Sequence, residues 1–167
     1  MLSNTIQIKS AIGTTYTDWK NATLRTLDEK TASFDESLHK KVETAYFKRL
    51  LEKMATHAAS SEALDAFKAE MDAYVASIPN KVGFEDKETR RNFLKKKAKI
   101  KSAAITKHKL VNKGFYVSLW IPIGMAIGMP WGVAFGNIAL GLPIGLAFGL
   151  AIGAWLDGKA VKEGRVV

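Results

Sequence analysis

Residues 123–156 read IGMAIGMPWGVAFGNIALGLPIGLAFGLAIGAWL and fall into tetrads with glycine in second place. The tetrads are IGMA, IGMP, WGVA and FGNI, then Ala139 as one extra residue, then LGLP, IGLA, FGLA and IGAW. Gly124, Gly128, Gly132 and Gly136 form one series; Gly141, Gly145, Gly149 and Gly153 form the second. In an aqueous helix each interior glycine costs about 1 kcal/mol relative to alanine. In lipid the balance differs, because small residues at i, i+4 let helix backbones approach and pack where no hydrophobic drive exists. Residues 115–156 hold no charged side chain. The stretch therefore predicts a transmembrane helical hairpin in which all eight glycines are helix-packing positions.

Successive helical residues lie about 100° apart, so each tetrad place makes its own stripe. Two residues beyond the glycines, on the far side, stand Ala126, Pro130 and Ala134, then Pro143, Ala147 and Ala151. That stripe is small too. Bulky residues fill the sides between the two seams. A helix with small seams on opposite sides can meet two neighbours, one its hairpin mate and the other a second subunit. This predicts a homo-oligomer, with a closed ring as one form. Which seam faces which neighbour stays open at this level.

As helices, 115–135 and 138–156 would span about 31 and 28 Å, against a hydrocarbon core of about 30 Å. Gly136–Asn137 is the natural turn, and Pro130 is expected to kink the first helix. Tyr116, Trp120 and Trp155 then fall at one end as interfacial anchors. Basic residues flank both ends, with Lys159, Lys162 and Arg165 behind Asp157. Both termini are expected in the cytoplasm, and the bilayer is expected to be a bacterial cytoplasmic membrane. The alternative, a hairpin buried in a soluble protein, needs more cover than about 110 other residues can supply.

Outward from the hairpin, the charge is uneven. Residues 1–89 carry 12 Lys/Arg against 14 Asp/Glu, and 90–113 carry 10 basic residues and no acid. The block comprises Arg90, Arg91, Lys95, Lys96, Lys97, Lys99, Lys101, Lys107, Lys109 and Lys113. An acidic first turn at Glu85, Asp86 and Glu88 suits the positive end of a helix dipole, so a basic juxtamembrane helix is expected over 85–114. Phe93, Ile100, Ala104 and Val111 could form its apolar stripe. Three readings of the block stay open: lipid-headgroup binding on anionic lipids, a topology signal, or phosphate contacts with nucleic acid. Contiguity with the hydrophobic segment favours lipid; nucleic acid is disfavoured because Phe93 is the block's one aromatic residue.

The preceding residues, 1–84, predict a cytoplasmic helical domain. Residues 1–16 show no period and read as a loose or docked arm without a secretory signal. Trp19, Thr23, Leu24 and Leu27 suggest a short helix over 17–30. Ser33 and Glu36 have the form of a capping box opening a helix over 33–57, with Phe34, Leu38, Val42, Ala45, Tyr46, Leu50 and Met54 at helical spacing. A second helix follows Ser60–Ser61, with Leu64, Phe67, Met71, Tyr74, Val75 and Ile78, and stops at Pro79. A short link makes these two an antiparallel pair. The fold class is all-α: amphipathic helices, a basic helix, a membrane hairpin over 115–156 and a cytoplasmic tail over 157–167.

The chain has no cysteine, which excludes disulfides and thiolate chemistry. His39, His57 and His108 are isolated, and no phosphate-binding glycine loop occurs. His57, Ser60, Ser61 and Asp65 read as linker and capping residues rather than a triad. No enzyme, cofactor or metal site is expected.

The run PIGMAIGMPWGVAFGNIALGLPIGLAFGLAIGAWLDGKAVKEGR resembles the glycine-zipper hairpins of small bacterial membrane proteins. The resemblance implies architecture and self-association, and no catalytic residue carries over. It is more loosely similar to pore-forming colicins, where a hydrophobic hairpin sits beside basic amphipathic helices. Two functions follow as expectations. One is a structural or adaptor subunit of a membrane assembly, whose cytoplasmic helices bind a protein partner. The other is a pore-forming toxin or holin-like permeabilising effector, which the scarcity of polar residues disfavours: only Ser118 and Asn137 carry polar side chains between 115 and 156.

Overall fold

The computed structural model describes residues 2–57 and 60–167, with side chains from Thr15 onward apart from residue 55. Seven α-helices and one 3₁₀ turn account for the architecture of the described residues, which contain no β-strand. The helices are α1 (Leu2–Thr31), α2 (Glu36–Val42), α3 (Thr44–His57), α4 (Ser61–Ala76), α5 (Lys87–Thr106), α6 (Phe115–Ala134) and α7 (Ile138–Lys162). The chain divides into two compact units, Met1–Leu110 and Val111–Val167.

In the first unit, α1 begins at Leu2, so the segment expected as a loose or docked arm is helical and continuous with the helix expected over 17–30. Among its described side chains Tyr16, Thr23, Leu27 and Thr31 are buried. The backbone partners are α1 with α3 and α4 with α5, so the expected pairing of the two middle helices is not the main one. Those helices meet through side chains instead. Tyr74 of α4 stacks on Phe47 of α3 with ring centroids 4.0 Å apart, and its hydroxyl donates to the Val42 carbonyl at 2.6 Å. Likewise the buried Tyr16 hydroxyl donates to the Leu51 carbonyl at 2.6 Å, tying α1 to α3. A buried hydroxyl that lost such an acceptor would cost about 1–3 kcal/mol, so these two bonds specify the packing as well as support it. Burial holds both phenols protonated, with pKa values raised above the usual tyrosine range.

The helix expected over 33–57 differs in two ways. Its cap is Asp35, whose carboxylate accepts from Leu38 N at 2.8 Å, not the Ser33–Glu36 box. An aspartate two residues on serves the same free donors and fits the helix start at Glu36. The helix also breaks at Glu43, which adopts a left-handed conformation with φ 59°. A non-glycine residue there is strained by about 1–3 kcal/mol. The offset is visible: the Glu43 carboxylate takes Lys97 at 3.0 Å and Lys101 at 2.6 Å, joining the α2–α3 joint to α5. Burial by itself would raise the Glu43 pKa, but the two lysines outweigh it and the net shift is downward. For α4 the Ser60 hydroxyl caps Ala63 N at 3.1 Å, and Leu64, Phe67, Met71, Tyr74 and Val75 are buried along one face.

The basic helix α5 is capped by Asp86, which accepts from Thr89 N at 2.7 Å. It buries Phe93, Ile100, Ala103 and Ala104. It ends at Thr106, eight residues short of the expected helix end at 114. Val111 therefore lies off this helix; its backbone bridges Val166 within the second unit. The second unit is the hairpin α6–α7 and its base. Its second helix runs to Lys162, past the expected end at 156, so half of the expected tail is helical.

Candidate membrane-packing site

Both hairpin helices are long and apolar enough to cross a bilayer, and only 17% and 22% of their apolar windows are buried. A core helix of a soluble protein would be mostly buried. Trp131, Phe135, Phe148 and Trp155 are each more than half exposed. In water this would be a far larger apolar surface than soluble monomers carry; in lipid it is ordinary.

What is buried is glycine. On α6 the buried residues are Gly124, Gly128 and Gly132; on α7, Gly141, Gly145, Gly149 and Gly153, with Ala160 beyond the zipper. A Cβ added at any of these seven glycines would stand within 3.0 Å of backbone on the facing helix. Gly124 lies against Gly145 and Gly149; Gly128 against Gly141 and Gly145; Gly132 against Ile138 and Gly141. The two tetrad series thus run antiparallel in register along one seam, and that seam is internal to the hairpin. Such approach permits Cα–H···O contacts between backbones, each contributing about 0.5–1 kcal/mol. It also explains the extra residue Ala139: the repeat resets across the turn so that glycine meets glycine.

Gly136 is the exception among the eight. It has φ 71°, and a Cβ there would meet nothing within 4 Å, so it is a turn residue and not a packing one. The Gly136 N–H reaches the Val133 carbonyl at 3.0 Å and the Asn137 N–H reaches the Gly132 carbonyl at 2.8 Å. This is a Schellman closure, which needs the left-handed residue that glycine supplies. Asn137 then caps α7 through Ala139 N at 3.0 Å. Helix α6 is continuous across Pro122 and Pro130, without the break that an interior proline can impose.

The small residues of the second stripe, Ala126, Pro130, Ala134, Pro143, Ala147 and Ala151, are all exposed. They lie about 200° from the glycine seam, on the two outer edges of the hairpin. On one side between the edges, Trp120, Ile127, Trp131, Ile144, Phe148 and Ile152 wall an apolar groove of about 210 Å³ floored by the glycines.

The base of the hairpin holds a residue that composition alone did not single out. Asp157, on α7, accepts from the backbone N–H groups of Tyr116 and Val117, each at 3.1 Å. The N-cap residue before α6 is Gly114, which offers no side-chain cap. Asp157 supplies it from across the hairpin, matching a carboxylate to the positive end of the helix. The available signal was register: with glycines paired antiparallel, Asp157 falls opposite the first turn of α6. Below it Val111 N donates to the Arg165 carbonyl at 2.9 Å, and Val167 N to the Val111 carbonyl at 3.0 Å. Of the expected interfacial anchors, Tyr116 accepts from the Arg165 guanidinium at 3.3 Å, Trp155 is exposed, and the Trp120 backbone lies against Gly149 while its ring faces the groove.

The ten basic residues expected to meet headgroups separate into groups. Lys97 and Lys101 are held by Glu43. Lys99 and Lys107 reach Glu70 Oε1 at 4.0 and 3.5 Å. Arg90, Arg91, Lys95, Lys96, Lys109 and Lys113 are exposed. Beside Glu70, His108 is buried, and its Nδ1 and Glu70 Oε2 have no hydrogen-bond partner among the described residues. Burial, then the charge of Lys107, lowers the His108 pKa against the opposing pull of Glu70. Among the described residues no cluster of three His, Cys, Asp or Glu could hold a metal ion. His39 contacts the Thr44 hydroxyl at 3.2 Å, and Asp65 pairs with Lys68 at 3.1 Å.

A family model of glycine-zipper membrane proteins matches residues 106–159, which cover α6, most of α7 and the approach to them. No curated protein and no solved structure matches the chain. The match and the two apolar helices make this a membrane protein with a glycine-zipper hairpin.

Proposed function

We propose that the protein is a self-associating structural subunit of a membrane assembly, whose helical unit Met1–Leu110 binds a protein partner at the cytoplasmic face. One observation carries the reading. The glycine seam is used up inside the hairpin, and a second small stripe remains exposed along both outer edges. Bulky side chains would suffice on edges that met only lipid tails; small residues at four-residue spacing are what close helix contact requires. Two such edges pointing away from each other suit a row or ring of like subunits. Basic residues at both ends of the hairpin support a cytoplasmic position for both termini, and a bacterial cytoplasmic membrane is the proposed location.

The pore-forming reading lacks a lining. Along the outer edges the polar side chain is Ser118, whose hydroxyl donates to the Gly114 carbonyl at 2.6 Å, amid alanine and proline, and the groove is walled by Trp, Ile and Phe. Expression of the full chain in a bacterium, with membrane potential and viability followed, separates the two. A structural subunit leaves both unchanged at membrane levels that saturate its assembly. Rapid depolarisation at low expression would instead assign a permeabilising role.

A further inference from the structure

Helix α5 shows the core Phe93, Ile100, Ala103 and Ala104, and these side chains define its inner face. At 100° per residue the opposite face carries Lys87, Glu88, Arg91, Lys95, Ala98 and Ser102, with Leu94 on its flank, all exposed. The inner lysines are spoken for: Glu43 holds Lys97 and Lys101. On the outer face Arg91 and Lys95 stand one turn apart, and Leu94, 48% exposed, lies on the flank of that face about 60° around from Arg91 and beside Ala98. The acidic residues nearby, Asp86 and Glu88, lie in the cap and first turn, where Asp86 is committed to Thr89 N.

We propose that this outer face is a docking surface for anionic lipid headgroups, with Arg91 and Lys95 on phosphates and Leu94 dipping below them. Charge complementarity and tethering select the occupant. Eight residues separate Thr106 from Phe115, so α5 is held near a bilayer wherever α6 is inserted. An exposed leucine flanked by cations matches a helix lying in the interface: the apolar side chain enters the acyl boundary while basic stems snorkel to the headgroups. Nucleic acid would use the cations but gives the leucine nothing to enter. The proposal rests on the membrane reading of the hairpin.

The chain has no cysteine, so single labels are clean. The full-length Leu94→Cys protein, nitroxide-labelled, is reconstituted in bilayers of zwitterionic lipid alone or with phosphatidylserine. A Val133→Cys label on α6 reports insertion of the hairpin. With phosphatidylserine the label at 94 is expected to shift from water-accessible to lipid-accessible, and to return to water in high salt as the contacts are screened. The double change Arg91→Glu, Lys95→Glu should abolish the shift, while Arg25→Glu on α1 should not. A label at 133 in lipid with the label at 94 in water under every lipid overturns the docking surface alone. A label at 133 in water overturns the membrane reading and this proposal together. Immersion that survives the double change, or a label at 94 immobilised by added RNA but not by phosphatidylserine, also overturns it.

Discussion

Replacement of Gly145 by leucine puts the hairpin seam to a quantitative test. A Cβ at Gly145 would stand 2.9 Å from Gly128 Cα and closer still to the Gly124 carbonyl oxygen, whereas ordinary contacts begin at 3.4 Å. The obstacle is backbone on both sides, so no side chain can swing away. The helices must part by roughly 1 Å or more before any leucine atom beyond Cβ is placed. Removing a glycine from a helix returns about 1 kcal/mol of propensity. Overpacking costs about 1–3 kcal/mol, and each lost Cα–H···O contact about 0.5–1 kcal/mol more. The net is a loss of about 1–3 kcal/mol for Gly145→Leu, with insertion intact because leucine is favoured in lipid. Nitroxides at Leu119→Cys and Ile152→Cys, on exposed positions near the open end of the hairpin, read the separation directly. The distance should lengthen and the thermal transition in mild detergent should fall. An unchanged distance and midpoint would refute the seam.

Asp157→Asn keeps the shape of the cross-hairpin cap but removes its charge, and Asp157→Ala removes both; losses of about 0.5 and 1–2 kcal/mol are expected in the detergent unfolding midpoint. The helical unit should weaken in two separate acid steps. His108 has a folded pKa below its ordinary 6.5, so the unfolded chain takes the proton first and stability falls as pH drops below about 6.5. His108→Gln should flatten chemical denaturation between pH 7.5 and 5.5. Glu43 has a folded pKa below its ordinary 4.5, so its contribution is complete at neutral pH and is lost only as pH falls below that value. Glu43→Gln should remove this lower step and leave the His108 step in place, as read by helix content against pH.

The hairpin was legible because lipid leaves backbone packing few options. Glycine at every fourth residue, an uncharged run of bilayer length and a Gly–Asn turn each point to the same arrangement. The direction of the seam was not legible, since alanine and glycine stripes are both small; only the facing backbones decide between them. Gly136 misled because it keeps the tetrad spacing while serving the turn. In the helical unit the buried residues of α4 followed the helical period, but the break at Glu43 had no local signal. The partners that Glu43 meets there, Lys97 and Lys101, lie more than fifty residues away, and periodicity cannot carry such a contact. The end of α7 did have a local signal: Gly164, with φ 69°, lets its N–H reach the Val161 carbonyl and the Arg165 N–H reach the Ala160 carbonyl, a glycine closure of the helix. Past α5, Lys109 takes a left-handed conformation with φ 57° and the Leu110 N–H reaches the Ala104 carbonyl at 2.9 Å, a turn at a lysine that periodicity does not announce.

The outer edges carry the central claim, and Ala147 lies at the middle of one of them, exposed and about 200° from the glycine seam. The mass of the protein in mild detergent, measured by light scattering corrected for bound detergent, tests it most directly. The parent is expected at a multiple of 18.3 kDa. Ala147→Leu should fall to a lower multiple with its hairpin separation unchanged, and Leu150→Ile, on the bulky side between the seams, should keep the mass of the parent. A parent that runs as a single chain, or an Ala147→Leu protein with the parent's mass, would contradict assembly through the outer stripe.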